Sequence, residues 1–153
     1  MYRVFISYST RDVGWASFLT QLLADASASV FVAEHDVAPG VSLSRKISNE
    51  VKACDLFILL WDCHSKSSSY VQSEIFLAKS ENKRILPLLL DRQTQLPPML
   101  GDLKYLPLDC DPTSALAQVK KLVADSTHQK AVRDLIAVAL TAFIGWVLFK
   151  ESD

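Results

Sequence analysis

Glu74 stands where a charge is least expected. From Ser69 the sequence SYVQSEIFLAKS has helical spacing, and at about 100° per residue Leu77, Tyr70, Ala78, Val71 and Ile75 form one apolar arc. Glu74 falls near the middle of that arc. Burying a bare carboxylate costs several kcal/mol, so an inward Glu must be paired, hydrogen-bonded or neutral. The residues alone leave two readings open. In one, Glu74 pairs with a nearby Arg or Lys, or a bend tips it to solvent. In the other it lines a cleft, because its helix follows the carboxyl end of the apolar run Asp55–Trp61, where open α/β sheets bind ligands.

Other chemistries find little support. Gly14, Gly40, Gly101 and Gly145 are too scattered for a dinucleotide fingerprint or a P-loop. His35, His64 and His128 do not fall at metal-ligand spacings with Cys54, Cys63 and Cys110, so no metal is expected. No GxSxG elbow occurs. A phosphoreceiver would want acidic residues at the end of the first strand, where the chain reads Ser7-Tyr8-Ser9. An odd, widely spaced set of cysteines indicates reduced thiols rather than a disulfide framework. The net charge is −1 with both signs interspersed, which argues against a nucleic-acid partner. No signal peptide is expected, since the chain enters a strand almost at once.

The elements that must position Glu74 follow from periodicity. Strands are expected at Tyr2–Ser9, Val30–Ala33, Asp55–Trp61 and Arg84–Leu90, the first and third of them buried, with a weak fifth at Tyr105–Leu108. Pro87 removes a ladder donor and suggests that the fourth strand is an edge or carries a bulge. Helices are expected after caps at Asp12, Ser42 and Thr113, and at Tyr70–Asn82. There Ser69 and Gln72 fit a capping box, and His64–Ser69 reads as loop. Alternating strands and helices mean α/β: a parallel sheet covered on both faces. With 153 residues, half of them hydrophobic, the chain suits one domain with a full core.

The final segment differs. Leu135–Phe149, LIAVALTAFIGWVLF, has no charge and would span roughly 22 Å as a helix, against about 30 Å of hydrocarbon. Arg133 and Lys150 can snorkel, and Trp146 suits an interface. A single-pass anchor is expected, the alternative being a core helix or an oligomer contact. Lys120, Lys121, Lys130 and Arg133 precede the run, which places the globular part in the cytoplasm. The expected organisation is a domain at 1–126, a linker at 127–134 and the apolar helix at 135–149.

Three stretches then belong together: VFISYSTRD (Val4–Asp12), Glu34–Gly40 with its Asp36 and Pro39-Gly40, and SSSYVQSEI (Ser67–Ile75). Together they resemble two signature boxes and the active-site helix of the Toll/interleukin-1-receptor (TIR) domain, particularly its bacterial members, over about residues 1–125. The resemblance implies a flavodoxin-like sheet of five parallel strands. It also implies an enzyme that cleaves the nicotinamide–ribose bond of NAD⁺, the dinucleotide being substrate and no cofactor being needed. The family's W-x-x-x-E pattern puts the catalytic role on Glu74, with Tyr70 in the place of Trp. Family contacts to the dinucleotide map to Ser9, Thr10 and Arg11 and to an aromatic of the second strand, here Phe31. The loop Glu34, His35, Asp36, Val37, Ala38, Pro39 and Gly40 corresponds to a surface that docks one TIR domain onto another. In bacteria the resemblance implies antiphage defence. A non-catalytic adaptor acting by TIR–TIR assembly and a nucleoside-processing transferase of related fold are the competing readings.

Overall fold

The computed structural model describes residues 1–33 and 43–151. The loop Glu34–Gly40, expected to dock TIR domains, and the cap expected at Ser42 lie outside these residues. Five strands form one sheet in the order β2-β1-β3-β4-β5, every pair parallel. They are β1 Tyr2–Ser7, β2 Ala28–Val32, β3 Leu56–Trp61, β4 Arg84–Leu89 and β5 Leu106–Pro107. The helices are α1 Val13–Ala24, α2 Leu43–Ala53, α3 Cys63–Ser67, α4 Ser69–Ser80 and α5 Pro112–Glu151. This is the flavodoxin-like order, in which β1 and β3 flank the switch point.

β3 is buried at every position, as an uninterrupted LFILLW run requires of a central parallel strand. Its residues alternate between two cores. Leu56, Ile58 and Leu60 join Val4, Ile6, Leu19 and Leu23 beneath α1 and α5. Phe57, Leu59 and Trp61 join Phe5, Val51, Val71 and Ile75 beneath α2 and α4. On the second face Phe31, Phe5 and Phe57 sit in register across three strands. Their rings stack with centroids 5.4 Å and 5.2 Å apart.

Several local expectations shift. Of the expected loop His64–Ser69, the part up to Ser67 belongs to a helical turn, Cys63–Ser67, because Asp62 accepts from the backbone N–H groups of His64 (2.9 Å) and Ser65 (3.0 Å). The cap of α4 is Ser68, one residue earlier than expected, with Oγ accepting from Val71 N–H at 3.3 Å. Gln72 turns its side-chain amide to the Lys66 carbonyl instead of closing a box with Ser69. Asp12 precedes α1 without a side-chain cap bond; Ser9 instead accepts from Arg11 N–H. Asp111, not Thr113, caps the start of α5 through Ser114 N–H.

Pro87 lies in an interior strand rather than at an edge, and the reason is local. Leu90 N–H donates to Trp61 O, so alternation turns Pro87 toward β5. There β5 pairs only with Leu88 and Leu89, so the missing donor falls where β5 has not begun.

The stretch 127–134, expected as a linker, is helical: α5 runs unbroken for 40 residues, roughly 60 Å. Lys130 Nζ ties it to the base of the sheet, 2.8 Å from Asp55 Oδ2 and 3.1 Å from the Met1 carbonyl. Asp55 also accepts from Arg3 N–H. Burial pushes the Asp55 carboxyl up, but the bonds from Lys130 and Arg3 outweigh it and hold the carboxyl below its ordinary value. Beyond that point the helix leaves the domain, and Leu135, Ile136, Val138, Leu140, Phe143, Ile144 and Trp146 are all exposed. By length and composition this helix is able to cross a membrane, and none of its apolar window is buried in the domain.

Candidate functional site

The site forms where β1 and β3 end side by side. After β1 the chain turns through Ser9, Thr10 and Arg11; after β3 it turns through α3 into α4. Between these turns lies an open cleft of about 380 Å³ lined by Ser9, Thr10, Arg11, His64, Ser67, Ser68 and Tyr70. Three sequence-derived contact residues of the first loop thus meet Tyr70 across one opening. His64, Ser67 and Ser68 join them; only the polar, Ser-rich character of that stretch hinted at it.

Tyr70 is 54% exposed rather than part of the apolar arc, since it sits in the first turn of α4, above the sheet edge. Glu74, one turn further, is 3% exposed. It lies beneath the cleft, not among the residues lining it. Its Oε2 accepts a hydrogen bond from Ser7 Oγ, and Ser7, the last residue of β1, is itself fully buried. Burial pushes the Glu74 carboxyl up from 4.5 to about 7, and the Ser7 bond pulls against that shift. A group that ionises near neutral pH inside an apolar core is costly to keep and available for chemistry.

Phe31 is placed elsewhere. It stacks on Phe5 as a rung of the sheet, with Lys46 Nζ 5.6 Å from its ring centroid, and it does not line the cleft.

The fold also gathers three carboxyl groups that the sequence scatters. Asp12 follows β1, Asp62 follows β3, and Asp91 follows β4. Asp62 accepts from His64 N–H, Ser65 N–H and Ser65 Oγ, and Asp91 accepts from Thr94 N–H (2.7 Å) and Gln93 N–H (2.9 Å). Both are therefore held as acceptors. Asp12 is raised to about 7, first by burial, then by its hydrogen bond with Asp62 and that group's charge. Its Oδ2 is buried without a hydrogen-bond partner of its own, which fits the raised, neutral form. Among the described residues no cluster has the geometry to hold a metal ion. Asp62 and Asp91 act as turn caps, and Asp12 is the buried acid beside them.

A 2-1-3-4-5 parallel sheet with an inward carboxylate at its switch point defines a flavodoxin-like α/β domain. The chain belongs to the TIR domain family, whose model matches residues 4–123. Its fold is similar to the TIR domain of the Toll-related receptor TRR-2 from Hydra magnipapillata. That match has a TM-score of 0.68 at 19% identity, over 80% of this chain and 98% of that one. It is also similar to the CMP N-glycosidase BcmB of Clostridium botulinum, with a TM-score of 0.59 at 18% identity, over 76% and 97% of the two chains. A metazoan TIR-STING receptor from C. gigas aligns with a TM-score of 0.58 at 24% identity, over 76% of this chain and 40% of that one. No curated protein sequence matches the chain.

Proposed function

We propose that this TIR domain is an NAD⁺ nucleosidase, releasing nicotinamide and forming ADP-ribose or a cyclic ADP-ribose signal. The observation that carries the reading is Glu74, a core carboxyl held by Ser7 at the switch point and poised to ionise near pH 7. Membership of a family that includes NAD⁺ hydrolases supports it, as does a shared fold with a CMP N-glycosidase.

The chemistry needs one carboxylate. Glycosidases use two, because the leaving oxygen must be protonated. Nicotinamide departs neutral from a pyridinium, so no general acid is required. What remains is to hold the ribose and stabilise positive charge at its anomeric carbon, which an ionised, preoriented Glu74 does electrostatically. Ser9, Thr10 and Arg11 present hydroxyl and guanidinium donors at the cleft, suited to the dinucleotide's phosphates or ribose. Tyr70 offers an exposed ring for stacking. Because Glu74 lies under the cleft, turnover requires the layer between Tyr70 and Glu74 to open. TIR domains typically assemble with one another, and assembly supplies a neighbour able to drive that opening.

In this reading the domain works in the cytoplasm in bacterial antiphage signalling, tethered by residues 135–149, and the tether raises its local concentration for assembly. The adaptor reading would call for an exposed Glu74 with no cleft beside it; the carboxyl is buried and a cleft lies above it.

The test is full-length protein in membranes, incubated with NAD⁺ and separately with nucleosides, the products resolved by chromatography. Nicotinamide plus a ribosylated product is expected, with turnover rising through about pH 7 as Glu74 ionises, and no product from Glu74→Gln. Wild-type turnover in that variant refutes the role of Glu74. Absence of turnover in assembled protein leaves the adaptor, and base exchange on nucleosides identifies the transferase.

A further inference from the structure

In an all-parallel sheet with helical crossovers, the strand starts and helix ends share one side of the domain. Here that base is marked by Met1 and Asp55, and it is where Lys130 pins α5. The helix continues from the base without a break, so its exposed apolar part projects away from that side of the domain. The cleft lies at the other end of the sheet. From Pro112 to Leu135 the helix rises roughly 35 Å, which sets the distance between cleft and apolar segment. A bilayer holding residues 135–149 therefore meets the base and not the cleft.

The chemistry of the base suits such a neighbour. Lys79 and Lys83 line a depression of about 540 Å³ together with Phe76 and Met99. Phe76 is 66% and Met99 44% exposed, both unusually open for apolar side chains beside lysines. Lys83 Nζ donates to the carbonyls of Lys52 and Cys54, which fixes its ammonium at the end of α2. Exposed Lys52, Arg84 and Lys104 lie on the same side. Among the described residues the acidic side chains there are Asp25, Glu81, Asp102 and Asp134, with Glu50 engaged by Arg3 and Asp55 by Lys130. Cations thus dominate the α4–β4–β5 part of the base, and apolar groups are interleaved with them, the composition of a surface that meets anionic headgroups.

We propose that the depression lined by Phe76, Lys79, Lys83 and Met99 is a contact site for anionic phospholipid headgroups of the membrane that holds residues 135–149. The domain then rests on its base with the cleft turned to the cytoplasm. This rests on the membrane-anchor reading and goes beyond it, since a tether alone leaves the domain free to tumble above the bilayer.

The experiment uses the full chain reconstituted into vesicles of phosphatidylcholine, with or without phosphatidylserine. Met99→Cys in a Cys63→Ser, Cys110→Ser background carries an environment-sensitive fluorophore; a second preparation carries it on native Cys63, at the cleft end, in a Cys110→Ser background. A headgroup-level quencher is expected to quench the Met99 label severalfold more strongly when phosphatidylserine is present, and to leave the Cys63 label unchanged. Lys79→Glu with Arg84→Glu is expected to cut that lipid-dependent quenching about fivefold or more. Equal quenching of the Met99 label in both vesicle types, or stronger quenching at Cys63, overturns the proposal. Carbonate extraction of the same vesicles separates the two levels. Protein that stays in the pellet while the Met99 label does not respond keeps the anchor and removes the headgroup site; protein that washes off removes both.

Discussion

Glu74→Gln is expected to weaken nothing in the fold and to strengthen it at alkaline pH. In the wild-type chain the carboxyl ionises at about 7, against 4.5 when unburied. Below pH 4.5 the group is neutral in both the folded and unfolded chain, and Glu and Gln differ little. Between pH 4.5 and about 7 the unfolded chain releases its proton while the folded one keeps it. Wild-type stability therefore falls by about 1.4 kcal/mol for each pH unit, levelling off above pH 7. The full penalty is about 3 kcal/mol, a large fraction of the 5–15 kcal/mol that typically holds a domain together. Gln keeps an acceptor for Ser7 Oγ and never ionises, so its stability lacks this fall. Urea unfolding of the full-length protein in detergent, at intervals from pH 4 to pH 9, measures the gap between the two proteins. It should open from near zero to about 3 kcal/mol in favour of Gln and then stay constant. Parallel curves, or a wild-type protein that is the more stable at pH 8, would refute the reasoning, since either means that the carboxylate is compensated inside the fold. A variant that is more stable yet inactive toward NAD⁺ would also separate catalytic loss from misfolding.

Ser7→Ala removes the bond that holds the Glu74 carboxyl down, so the midpoint of the activity–pH profile should move above 7, with about 1–2 kcal/mol lost at pH 8; an unmoved midpoint would show that Ser7 does not tune Glu74. Lys130→Ala breaks a half-buried ion pair and should cost about 1 kcal/mol at pH 7. Because the Asp55 carboxyl sits below its ordinary 3.8, that cost should vanish as pH falls through and below that value, and a pH-independent loss would assign it to packing instead. Phe5→Ala removes the middle ring of the three-phenylalanine ladder and should cost about 3–5 kcal/mol in the same unfolding assay, a loss below 1 kcal/mol being incompatible with a fully buried ring.

The strand and helix alternation could be read directly because buried parallel strands such as Leu56–Trp61 are continuous apolar runs and the crossovers carry helical spacing. Glu74 was legible for the opposite reason, as a charge on an apolar arc. Short-range competition hid the rest. Ser68 and Ser69 are equally good caps by type, and only the turn closed by Asp62 decides between them. Cys63–Ser67 has too few residues for any periodicity to register. Tyr70 and Val71 look alike on a helical projection, yet one emerges at the cleft and the other is sealed, because the helix starts above the sheet edge. Phe31 has the composition of a stacking residue, and in-register pairing with Phe5 makes it part of the sheet.

What the sequence determined by itself is the repertoire: the apolar runs, the inward acid and the uncharged C-terminal segment, all set by local patterning along one chain. What only the tertiary structure decided is which distant groups meet. The pairing of Ser7 with Glu74, the approach of Asp12 to Asp62, and the tie of Lys130 to Asp55 each join residues from different elements. Sheet order and register bring them together, and no spacing along the chain encodes those distances.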